Sequence, residues 1–155
     1  MPADRLLLPA TVRDALHERR AAGAPAEVCG VLVGDRGGDV DSGGDADSAG
    51  DGVVETDAAD RVAEAVPVAN VADDPERFYE LDPAETVVAI EDAEAHGRDV
   101  IGFYHSHPRG PAEPSETDRG RATWTGSVYA IVAPDEIVAY RWTGESFRSL
   151  RVETP

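Results

Sequence analysis

Two histidines one residue apart, His105 and His107, are followed eleven residues later by the carboxylate of Asp118. Two imidazole nitrogens and one carboxylate oxygen form the ligand set of an open catalytic zinc site, in which water takes the fourth position. The preceding run, Asp99 to Tyr104, reads as a buried strand, so both histidines stand where a strand gives way to a loop. Residues i and i+2 of an extended backbone point the same way, and two imidazoles so placed can grip one ion. A lone His-x-His at a strand end is also compatible with ordinary polar loop residues. The spacing to Ser115 and Asp118, and an isolated Glu27 far upstream in Glu-Val-Cys-Gly-Val-Leu-Val-Gly, set this one apart.

The elements that must position these groups follow from pattern. Leu6-Leu7-Leu8 reads as a first strand, and a helix runs from Pro9 to about Ala21 with Val12 and Leu16 on one face. His17, among charged residues on that helix, reads as a solvated side chain. A second strand follows with Glu27 at its entrance, where a carboxylate taken alone is an edge charge. The stretch from Asp35 to Gly52 is nearly all Gly, Asp, Ser and Ala, which predicts a mobile, dispensable loop. Its aspartates lack the spacing and closing Glu of a calcium loop. Val53-Val54 and Arg61 to Val68 resume the sheet, and Asn70 to Leu81 connects onward with Phe78 and Tyr79 as core or groove-wall aromatics. Asp82-Pro83-Ala84-Glu85 starts a helix that ends at His96-Gly97, where His96 is explained by the helix dipole. Ser115-x-x-Asp118 opens a short helix, and Ser127 to Ala133, Glu136 to Trp142 and Phe147 to Glu153 complete the strands.

A chain of 155 residues is read as one domain, residues 1–155. The single cysteine, Cys29, has apolar neighbours and reads as an inert buried thiol, so zinc falls to nitrogen and oxygen ligands. No apolar run is long enough to span a bilayer and no signal segment opens the chain, so membrane partners are excluded and a cytoplasmic location is expected. The net charge is -17, and all 14 basic residues are arginine. That surface repels phosphates and excludes nucleic acid as a partner. Because the acids are scattered, the excess reads as adaptation to high salt, as in a halophilic archaeon.

The order Glu27, His105-Ser106-His107-Pro108, Ser115, Asp118 resembles, without gap or substitution, the pattern of the JAMM (MPN+) metalloproteases. The resemblance implies an α/β MPN domain, a mixed curved β-sheet flanked by helices, with an architecture like that of cytidine deaminases. It implies Zn2+ held by His105, His107 and Asp118, and Glu27 as the general base acting on the bound water. Ser115 reads as a helix N-cap, and the resemblance adds a contact to the oxyanion. Ser106 reads as a spacer, and Pro108 as fixing the loop direction. The partners implied are ubiquitin-like modifier proteins and their lysine-linked conjugates, cleaved after a C-terminal Gly-Gly. Two readings stand beside isopeptide deconjugation: a processing peptidase maturing a sulfur-carrier protein of the same fold, and a non-catalytic MPN interaction scaffold. A zinc nucleobase deaminase is excluded because its His-x-Glu and Cys-x-x-Cys are missing.

Overall fold

The computed structural model describes residues 4–37 and 59–155. Its elements in chain order are β1 (Arg5–Leu7), α1 (Ala10–Gly23), β2 (Cys29–Asp35), β3 (Asp60–Val68), α2 (Pro83–Ala95), β4 (Asp99–Ser106), α3 (Glu116–Arg121), β5 (Val128–Val132), β6 (Ile137–Trp142) and β7 (Phe147–Glu153). Val53-Val54 and most of the Asp35–Gly52 loop lie outside the described residues.

The strand order is β1-β3-β2-β4-β5-β6-β7, and β1 runs parallel to both β3 and β7. The sheet, expected as a mixed curved sheet flanked by helices with an architecture like that of cytidine deaminases, is instead a closed barrel. Closure is driven by the N-terminal leucines: Leu6 and Leu8 are buried, and extended pairing with β7 satisfies their backbone and leaves no open edge among the described strands. Arg5 reinforces the seam through an ion pair with Glu153 at 2.9 Å.

One face of the sheet packs with α1, joining Leu6, Leu8, Val12, Leu16, Leu32, Tyr104 and Val128 in one cluster. The other packs with α2, whose Ala89 and Ala93 meet Val31, Val33, Phe103 and Tyr129. Small residues one helical turn apart let α2 approach the sheet closely. Asp82 caps α2 by accepting from the Ala84 N–H. Glu85, expected to reach back to its own cap, instead accepts from the Ala69 N–H at 2.8 Å and ties the helix to the end of β3. Strand β4 is buried from Ile101 onward. Its register against β2 shifts between Leu32 and Val33, passing over Ile101, and the alternation that resumes puts Phe103 and His105 on one face. Gly30 matters to the neighbouring strand: a Cβ there would run into the Val66 carbonyl and the Tyr104 ring.

An ion pair lies within the protein. Arg141 of β6 reaches Asp60 of β3 at 3.0 Å, and also donates to the Gly126 carbonyl, while Asp60 accepts from the Gly37 N–H. Both side chains are almost wholly buried. Asp60→Ala is expected to cost about 3 to 5 kcal/mol, because it removes one partner of a buried ion pair. A denaturation midpoint within error of wild type at matched salt would contradict this. Among the described residues, no helix is long and apolar enough to cross a membrane.

Candidate active site

The site is built on the β2/β4 pair. Cys29 stands opposite His105, Val31 opposite Phe103, and the ladder continues past the end of β2, where the Ser106 N–H donates to the Val28 carbonyl. Antiparallel register then sets Glu27 against His107, on the face that carries His105. Ser106, expected as a spacer, is fully buried, and its hydroxyl accepts from the Val28 N–H at 2.8 Å. It therefore positions the backbone next to Glu27.

Three candidate ligand atoms converge. His105 Nε2 lies 3.2 Å from His107 Nε2, and each lies 3.1 Å from Asp118 Oδ2. A tetrahedral zinc with ligand distances near 2.0–2.1 Å has ligand–ligand edges of roughly 3.3 Å, so the triangle is close to one face of that tetrahedron. The proton positions support the fit. His107 Nδ1 sits 2.9 Å from the Pro111 carbonyl, which accepts its N–H and leaves the Nε2 lone pair facing the carboxylate. Two imidazole nitrogens and a carboxylate oxygen this close together can share one cation, a proton or a metal ion.

Glu27, His105 and His107 also offer ligand atoms within 4.8 Å of one another. The shorter, even edges with Asp118 favour that carboxylate as the third ligand and leave Glu27 beside the open position. Glu27 is buried, and its Oε1 has no hydrogen-bond partner among the described residues. Burial pushes its carboxyl up to about 8, opposed in part by His107 and assisted by Asp118. Burial also raises Asp118, but hydrogen bonds from His105, His107 and the Ser115 backbone hold it well below the usual carboxylate range. His105 is lowered by burial; His107 is lowered by burial too, yet rises overall through Asp118, Pro111 and Glu27.

Ser115 and Asp118 form a full capping box: the Ser115 hydroxyl accepts from the Asp118 N–H at 3.0 Å, and the Ser115 N–H donates to Asp118 Oδ2 at 2.9 Å. The motif that starts α3 thus aims the carboxylate at the histidines. Cys29 is buried and its thiol is pushed up to about 12, by burial and then by Glu27 and Glu85, so it is no nucleophile. His17 and His96 stand outside the cluster; His96 C-caps α2.

Two further residues shape the site: Tyr79, read from the sequence as a core or groove-wall aromatic, and Asn70, which that reading missed. Tyr79 stacks on His105, centroids 4.2 Å apart and rings 13° from parallel, which fixes that imidazole's plane. Asn70 donates to the Glu27 and Phe78 carbonyls and accepts from the Ala72 and Glu80 N–H groups, stitching the 70–81 segment to the carboxylate's backbone. Aromatic richness pointed at the segment. Nothing local pointed at Asn70.

Residues 9–148 match the model of the prokaryotic homologs of the JAB domain, and the chain belongs to that family. It is 45% identical over 157 residues to the desampylase of Haloferax volcanii, with 98% of each chain covered. A probable TtuB-protein conjugate cleaving protease from Thermus thermophilus is 35% identical over 79 residues, covering 51% of this chain and 53% of that one. A solution structure from Desulfitobacterium hafniense has the same fold, with a TM-score of 0.77 at 22% identity over 97% of this chain and 92% of that one.

Proposed function

We propose that residues 1–155 act as one zinc-dependent isopeptidase domain that releases ubiquitin-like modifiers from target lysines by cleaving after a C-terminal Gly-Gly. The reading is carried by the 3.1–3.2 Å triangle of His105, His107 and Asp118 beside the unpartnered Glu27 oxygen. The names of the two relatives, a desampylase and a conjugate-cleaving protease, support the substrate class.

In this reading His105 Nε2, His107 Nε2 and Asp118 Oδ2 hold the metal. Zinc held there would polarise the scissile carbonyl and lower the pKa of water toward neutrality. Glu27 Oε1 accepts the proton of the attacking water and delivers it to the leaving lysine amine. Burial raises the affinity of Glu27 for a proton, which suits the acceptance of one from water. The Ser115 hydroxyl oxygen is occupied by the Asp118 N–H, but its own proton can be donated to the developing oxyanion, so cap and catalytic contact coexist.

The test offers the purified chain one modifier in two forms, isopeptide-linked to lysine and carrying a linear C-terminal extension, with and without chelator. Cleavage of the isopeptide form, lost with chelator and restored by zinc, is expected. Cleavage of the linear form alone would favour a processing peptidase, and no cleavage of either a scaffold.

A further inference from the structure

The Tyr79 ring that stacks on His105 also lines an open pocket of about 170 Å³ with Leu81, Phe103, Thr123, Trp124 and Tyr129. Glu80 stands exposed at its rim. The walls are aromatic and braced. Trp124 meets Phe103 edge-on at 5.3 Å, and Phe103 packs on Tyr129 at 5.6 Å. The Tyr129 hydroxyl accepts from the Thr123 and Trp124 N–H groups at 3.3 and 3.1 Å, so the loop bearing the indole is held in place. Trp124 nevertheless remains 51% exposed, so its ring is open to a side chain entering the pocket. A preformed apolar concavity of this volume suits one aliphatic side chain.

Its position specifies which side chain. Phe103 and His105 are two residues apart on one face of β4, and extended chain rises about 3.3 Å per residue, so the pocket opens roughly 7 Å from the ligand cluster. A substrate tail in extended conformation spans the same distance in two residues. If its last two residues are Gly-Gly, the third from the end is the first with a side chain, and it falls over the pocket. Direction follows from Glu27, which faces His107: the amine leaves on that side, and the acyl tail approaches from the His105 side, where the pocket lies.

We propose that the Tyr79–Leu81–Phe103–Trp124 pocket is a specificity subsite for an apolar residue immediately before the Gly-Gly of the modifier tail. The inference rests on the deconjugation reading, and binding can be separated from turnover. The probes are nonapeptides ending in Xaa-Gly-Gly, with Xaa as Leu, Ala or Asp. Calorimetry measures the free-carboxylate forms, and cleavage assays use the same tails linked to a lysine side chain. On the zinc-loaded chain the Leu peptide is expected to bind, and its conjugate to be cleaved, about 10-fold or more better than the Asp counterpart. In Trp124→Ala that ratio should fall toward unity with zinc content and thermal midpoint unchanged. Equal binding of Leu and Asp by the wild type, or a preference that survives in Trp124→Ala, would overturn the subsite. Cleavage without Leu selectivity removes the subsite and leaves the hydrolase standing. Leu-selective binding without cleavage of any conjugate removes the hydrolase and leaves the pocket as a tail receptor.

Discussion

Glu27→Gln is expected to lower turnover by about 10²-fold or more while zinc stays bound at wild-type stoichiometry. Glutamine keeps the shape of the side chain and its backbone bond to Asn70, so the β2 entrance should hold its geometry. What disappears is the basic oxygen, left unpartnered and buried beside the ligand cluster. Three accounts of Glu27 separate on a single sample. A general base predicts metal retained and cleavage lost; a ligand predicts both lost; an edge charge predicts neither. Near wild-type cleavage by the variant would end the assignment.

His107→Ala is expected to abolish zinc binding and cleavage together. His107 lies just past the end of β4 and belongs to neither packed cluster, so its truncation leaves both intact. It removes one corner of the ligand triangle and the imidazole anchored on the Pro111 carbonyl. Loss of an outer-shell partner alone typically costs 10- to 100-fold in metal affinity or activity, and loss of a ligand should exceed that. Metal analysis after exchange into zinc-containing buffer, followed by the cleavage assay, checks the expectation. Added zinc should restore chelator-treated wild type but not the variant. A variant that keeps both zinc and turnover would remove His107 from the ligand set.

What the sequence determined by itself was local. His105 and His107 share a direction because two residues of extended chain impose it, and the buried run before them makes the chain extended. Ser115 and Asp118 read as a helix start because hydroxyl, carboxylate and backbone N–H groups satisfy one another within four residues. The Asp82 cap and the burial of Cys29 were legible for the same reason, since each depends on near neighbours along the chain.

Tertiary structure decided everything that depends on pairing distant segments. Glu27 faces His107 only because β2 and β4 pair in one particular register, pinned by Ser106 to a backbone N–H 78 residues away, and a slip of one residue would turn Glu27 to the opposite face. Barrel closure by β1 was hidden because three strand residues carry no signal of their partners. Glu85 looked like half of a local capping box, yet a backbone donor at the end of β3 claimed it. Tyr79 and Asn70 reached the site through a connecting segment whose composition says nothing of where it packs. Candidate ligand types and spacing were written along the chain; the placement of Glu27 and of the surrounding walls came from side chains meeting across strands, which pattern along a single chain does not encode.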